Sequence, residues 1–116
     1  MYFERLEVWK RAAKLSAELY IYFNGFQDFG FRDQITRSGL SIPSNIAEGI
    51  TRASIKDKLR FINMAYSSCA ELRTQIYIGT RIDYVNQSTS KKWIAETQQI
   101  SSMLHGLMQN LKAKMD

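Results

Sequence analysis

Side chains able to do bond-making chemistry are scarce in this sequence. His105 is the one histidine and Cys69 the one cysteine among 116 residues. A histidine-built metal cluster is therefore excluded, and a catalytic triad would have to be assembled around His105. His105 directly follows Leu104, a core position of the last expected helix, and reads as structural. Cys69 falls on the apolar stripe of the third helix, where a thiol behaves as a small buried hydrophobe. Only Arg73 stands within a helical turn to lower its pKa. Glu18, Glu48, Glu71 and Glu96 give one mid-sequence carboxylate per expected helix, the raw material of a di-metal centre. Such centres need Glu-x-x-His on two helices, but Thr74 and Gln99 stand three residues beyond Glu71 and Glu96. Glu48 also falls at the opposite end of the bundle from Glu96, so the centre is rejected. The glycine patterns that cradle nucleotide phosphates are missing as well. No catalytic residue, metal or cofactor is expected, and the chain reads as non-enzymatic.

Two other groupings are chemically suggestive. Between Tyr20 and Phe31, Tyr20, Tyr22, Phe23, Phe26, Phe29 and Phe31 place six aromatics in twelve residues. They can stack on unpaired bases or on another subunit, or plug the bundle beneath a connector; the plug is preferred. The second grouping is basic. Arg52, Lys56, Lys58 and Arg60 face one acid, Asp57, within residues 52–60. Phosphate contact is the functional reading and a solvated helix terminus the plain one.

The elements that position these groups follow from periodicity. A first helix is expected over about 4–24, with Leu6, Trp9, Ala13, Ser16, Tyr20 and Phe23 on one face. Glu7–Arg11 and Lys14–Glu18 are expected as i,i+4 pairs, and Asn24-Gly25 ends the helix. A second helix over about 32–51 keeps Ile35, Ser38, Ile42, Ile46 and Gly49 in register although Pro43 interrupts it. Gly39, four residues back, is small enough for a kinked continuous helix; two short helices broken before Pro43 are the alternative. The third helix starts at the Ser54–Asp57 capping box and runs to about Tyr84. Leu59, Ile62, Tyr66, Cys69 and Ile76 form one of its stripes; Phe61, Ala65, Leu72 and Ile82 form another. That is more apolar surface than one bundle core absorbs, and the excess reads as an oligomer interface. After the polar connector 86–90, a fourth helix over about 89–114 carries Trp93, Thr97, Ile100, Leu104, Leu107 and Leu111 in 4-3-4-3-4 order.

The expected fold is all-α, an antiparallel up-down four-helix bundle kinked at Pro43. The length suits a single domain over 1–116. In that topology Arg5, Arg52, Lys56, Lys58, Arg60, Lys112 and Lys114 share one end with Glu4, Glu7, Glu48, Asp57 and Asp116. The local excess there is +2. Overall the chain carries +5, with 45% hydrophobic and 23% charged residues, and a pI near 9.5. Such a balance permits an anionic partner without requiring one. A lone cysteine, no apolar leader in MYFERLEVWK and no apolar run beyond LYIYF lead us to expect a cytoplasmic protein with no membrane span.

Gln34-Ile35-Thr36-Arg37-Ser38, the run Ser41-Ile42-Pro43-Ser44-Asn45-Ile46-Ala47-Glu48-Gly49, and Arg52, Ser54, Arg60-Phe61, Ala65, Ser68 and Glu71-Leu72 form a longer pattern. With Phe3, Leu6 and Val8-Trp9, this pattern resembles the 23S rRNA intervening-sequence protein family, which includes the accessory variability proteins of diversity-generating retroelements. The resemblance implies a ring-forming four-helix bundle, most often a homopentamer, and no enzyme. In the accessory branch it also implies a basic surface that binds nucleic acid and a reverse transcriptase. For this chain the expectation is weak RNA or DNA binding through Arg52, Lys56, Lys58 and Arg60, with Lys112 and Lys114 nearby. A protein-binding or scaffolding ring without nucleic acid is the alternative. The motif residues Pro43, Asn45, Glu48 and Gly49 read as structural: Asn45 is expected to reach the carbonyl that Pro43 leaves unpaired, and Glu48 to pair with Arg52.

Overall fold

In the computed structural model, which describes residues 2–115, four helices fill nearly the whole chain. Met1 and Asp116, the latter among the acids expected at the basic end, lie outside the described residues. A 3-10 turn at Phe3–Arg5 leads into α1 (Glu7–Tyr22), α2 (Phe29–Thr51), α3 (Ile55–Arg81) and α4 (Gln87–Ala113). They pack into a bundle 49 Å long and 21 Å across. Among the described residues no helix is long and apolar enough to cross a membrane.

α2, α3 and α4 each start where a side chain takes up a free backbone N–H, whereas α1 starts after Leu6 without one. The Asp28 carboxylate accepts from Phe31 N at 3.1 Å, Ser54 Oγ from Asp57 N at 3.1 Å, and Asn86 Oδ1 from Thr89 N at 2.8 Å. The Asp28 and Asn86 caps explain why α2 and α4 begin earlier than periodicity suggested. α3 stops at Arg81 instead of continuing to Tyr84. There Asp83 takes φ 63°, and Tyr84 N donates to Gly79 O at 2.8 Å, closing the last turn in a Schellman motif. Gly25, at φ 74°, lets the chain leave α1.

The core is drawn from all four helices. On α2 the expected positions Ile35, Ser38, Ile42, Ile46 and Gly49 are buried, and the helix is continuous through Pro43 rather than split before it. A Cβ at Gly39 would land on the Leu19 side chain, so its smallness brings α1 against α2. α4 buries Trp93, Thr97, Ile100, Leu104 and Leu111 as its spacing required, whereas Leu107 is only half-buried and Met108 joins the core. α1 corrects the reading. Its buried face is Val8, Ala12, Leu15, Ser16 and Leu19; Leu6, Trp9 and Ala13 are half-buried and Tyr20 is exposed. Two apolar stripes run side by side on this helix, and spacing alone does not say which one meets the core. Trp9 and Ala13 instead line, with Phe3, an apolar furrow of about 330 Å³ against Leu40, Pro43 and Ala47 of α2.

The ion pairs of α1 differ too. Arg11 reaches across to Glu96 of α4 through two hydrogen bonds of 2.9 and 2.7 Å, leaving Glu7 to Lys10. Glu18 accepts from Trp93 Nε1 at 3.3 Å and lies 3.9 Å from Lys92 Nζ. A forked guanidinium–carboxylate bond in a half-buried seam outcompetes a solvent-washed i,i+4 pair.

α3 does leave apolar surface outside the core. Met64, Tyr66, Tyr77, Ile78 and Ile82 are exposed, as is Leu40 of α2. Of the stripes expected on α3, Ile62, Ala65, Cys69, Leu72 and Ile76 are buried, whereas Tyr66 and Ile82 face out.

Candidate nucleic-acid interface

The end of α2 and the start of α3 build the basic end of the bundle from backbone needs outward. Carbonyls in the last turn of α2 have no helical partner, and Lys58 Nζ donates to one of them, Ile50 O, at 2.8 Å. Lys58 is thereby spent on the fold. Gly49 permits the close approach: a Cβ there would stand 3.0 Å from Ile62 Cδ1 and 3.2 Å from Lys58 O. Arg52, which caps α2, donates to Glu48 Oε2 at 2.7 Å, the i,i+4 pair expected from the sequence.

Phe61 organises what remains. The guanidinium carbons of both Arg52 and Arg60 lie 4.6 Å from its ring centroid, close enough for attraction to the π-face. Asp57 is only loosely engaged, 4.0 Å from Arg60 Nε. On the α4 side, Lys56, Arg60 and Asn63 face Met108 and Lys112 across a groove of about 470 Å³.

The six basic residues singled out in the sequence are therefore not one cluster. Lys56, Arg60 and Lys112 share the groove, Arg52 joins through Phe61, Lys58 is occupied, and Lys114 is exposed but outside the groove lining. Sequence reasoning missed Asn63 and Met108, although helical spacing held the signal. Asn63 lies three residues after Arg60, and Met108 four before Lys112, so each shares a face with a groove cation. Phe61 had been assigned to a core stripe; it is half-buried and serves the arginines.

Within the α2 motif, Asn45 finds a different partner from the one expected. Asn45 Nδ2 donates to Ser41 O and Ser41 Oγ, both at 2.9 Å, not to the Gly39 carbonyl that Pro43 leaves without its helical donor. Ser41 Oγ in turn meets Ser68 Oγ of α3 at 2.8 Å, and Ser38 Oγ donates to Glu71 Oε1 at 2.9 Å. These contacts fasten α2 to α3. Pro43 is buried and takes no part in them.

Elsewhere the chemistry is quiet. His105 is exposed, its Nε2 3.4 Å from Gln109. Cys69 Sγ donates to Thr97 O at 3.2 Å, and burial pushes the thiol pKa up against the opposing pull of Ser101 and Arg73. A thiol so placed is a poor nucleophile. Glu18, Glu48, Glu71 and Glu96 each engage different partners. Among the described residues no three His, Cys, Asp or Glu side chains gather to hold a metal. At the far end, Tyr22, Phe23, Phe26 and Phe31 plug the bundle with Tyr84 and Trp93, while Tyr20 and Phe29 stay outside.

Comparison with known proteins gives a consistent frame. The family model for the 23S rRNA-intervening sequence protein matches residues 4–106. A solved structure of a protein of unknown function, from the S23 ribosomal protein family of Bacteroides thetaiotaomicron, is similar with a TM-score of 0.82. It shares 22% sequence identity over 87% of this chain and 97% of its own, a likeness that speaks for the fold. Among curated proteins none matches.

Proposed function

We propose, since the chain belongs to the 23S rRNA-intervening sequence protein family, that it is a non-enzymatic oligomer that binds nucleic acid through its α3/α4 basic groove. The observation that carries this reading is the convergence of Lys56, Arg60 and Lys112, from two helices, on one groove with a single loosely held acid. Three cations on a rigid wall neutralise phosphate charge and release counterions, which makes binding favourable at low salt and weak at high salt. A single groove gives modest affinity. Repeated around a ring, it gains by avidity, and exposed Met64, Tyr77, Ile78 and Ile82 supply apolar surface of the kind a subunit contact covers.

The same apolar surface favours a second reading, a scaffold ring that docks a protein and ignores nucleic acid. One titration separates the two. The purified protein is titrated with structured RNA, single strands and duplex DNA at two salt concentrations, and its mass in solution is recorded on the same sample. An oligomer whose affinity falls with salt supports the groove. An oligomer that binds nothing at low salt supports the scaffold, and a monomer removes the ring from both.

A further inference from the structure

Resting on the reading that this groove meets phosphate, we infer that the strand it takes is single: an unpaired base stacks on the Arg60 guanidinium while Lys56 and Lys112 hold neighbouring phosphates. Phosphate contact alone asks only for positive charge, which flexible lysines supply. Here two arginines are arranged about a ring instead. The Phe61 ring centroid lies 4.6 Å from the Arg60 guanidinium carbon, yet the Arg60 side chain remains 62% exposed. Its outer face is open. Arg52 holds a second plane on the same ring, pinned by Glu48 at 2.7 Å.

Guanidinium planes are stacking surfaces for unpaired bases, whose π-faces are available only outside a duplex. Because the Phe61 ring already attracts both guanidiniums, stacking on them loses less side-chain freedom than on an unsupported arginine. The rest of the groove agrees. Leu59 and Met108 give it an apolar floor, and Asn63 brings an amide able both to donate to and to accept from a base edge. A duplex presents phosphates to this wall and keeps its bases out of reach. The distance along α3 from Lys56 to Arg60, about 6 Å at one helical turn, sets a phosphate contact and a stacking plane side by side.

The test compares three probes of equal length, about twelve nucleotides, on the full-length protein: an oligouridine strand, the same strand with abasic sites, and its duplex with oligoadenosine. The base-bearing strand is expected to bind about tenfold more tightly than either the abasic strand or the duplex. Arg60→Lys retains the charge and loses the plane. It is expected to lower single-strand affinity about five- to tenfold, with an unchanged salt slope and unchanged duplex affinity. Phe61→Leu, checked for an intact melting transition, is expected to act in the same direction. Equal binding of the abasic strand, or an Arg60→Lys variant indistinguishable from wild type, would overturn the stacking inference and leave the phosphate reading standing. Failure of all three probes to bind at low salt would overturn both.

Discussion

Aromatic rings occupy both ends of this bundle and do opposite things there. Where α1 leaves off and α2 begins, rings spend their faces on one another. Phe23 meets Tyr22, Phe26 and Phe31 edge-on at centroid distances of 4.9, 5.1 and 5.8 Å, and Tyr84 closes over Phe26 and Phe31 at 4.7 and 5.1 Å. Polar atoms there are also matched, since the Tyr84 hydroxyl donates to Asp28 Oδ2 at 2.8 Å. At the other end a single ring, Phe61, holds two guanidiniums whose remaining donors face solvent. The first arrangement completes itself and stabilises; the second is left open, and an anion is the partner we propose for it. The same residue types satisfy one another at the closed end and, at the open end, leave surface on which the proposed binding rests.

The largest effect that would break this contrast is Phe23→Ala. Removing a fully buried ring from the closed end is expected to cost about 3–5 kcal/mol, read from chemical denaturation. Nucleic-acid affinity of the protein that remains folded should be unchanged; a loss of binding there would join the two ends functionally and defeat the comparison.

Asn45→Ala probes the helix between the ends. It removes both bonds to Ser41 and unsettles the Ser41–Ser68 link, for an expected loss of about 1–2 kcal/mol with no change in affinity. Unchanged thermal stability would instead leave Asn45 free for a ligand.

Acid should weaken the closed end and the α1/α4 seam before the open end. The Phe31 N–H and the Tyr84 hydroxyl hold the Asp28 carboxyl below its usual pKa. Arg11 does the same for Glu96. A carboxyl whose pKa is depressed on folding adds stability that is complete above its unfolded value, about 4, and is lost as pH falls through the folded one. The melting temperature should therefore drop as the pH is lowered below that value, and less steeply in Asp28→Asn and Glu96→Gln. Equal acid sensitivity in both variants would remove these carboxyls from the account.

Asp83→Gly is the smallest structural change and carries the opposite sign. Asp83 holds φ 63°, a conformation glycine accepts freely, so the substitution should stabilise by about 0.5–1 kcal/mol. A loss in the melting curve would mean that the Asp83 side chain does something the backbone does not reveal. At the open end, Lys56→Ala, Arg60→Ala and Lys112→Ala should each move stability by no more than about 0.5 kcal/mol, because none of the three is tied into the fold as Lys58 is.

The framework of this molecule was legible because it rests on local rules. The 4-3 order of Trp93 to Leu111 and the Ser54 cap each act within one helix, and α2, like α4 with the exception of Leu107, buries the face its spacing marks. What was not legible needed a neighbour. Arg11 chose Glu96 over Glu7, and Lys58 chose the Ile50 carbonyl, because partners from another segment offered geometry that no single-helix pattern encodes. The α1 face was misassigned for the same reason: two apolar stripes compete, and the partner helices decide between them. At the basic end the sequence named the charges, but the turn into α3 ties Lys58 to the Ile50 carbonyl and leaves Lys56, Arg60 and Lys112 to share a groove.

The claim that the open end exists to meet phosphate is tested most directly by salt dependence. The affinity of the intact protein for a single-stranded RNA is measured across a salt series, beside the Lys56→Ala/Arg60→Ala/Lys112→Ala triple variant. If these cations neutralise phosphates, the log–log slope should be shallower in the variant by about 1.4 to 2 per groove engaged, the lower figure where Arg60 stacks on a base, with the melting temperature little changed. A variant that folds, binds as tightly and keeps the same slope would place the nucleic-acid contact elsewhere and contradict the account.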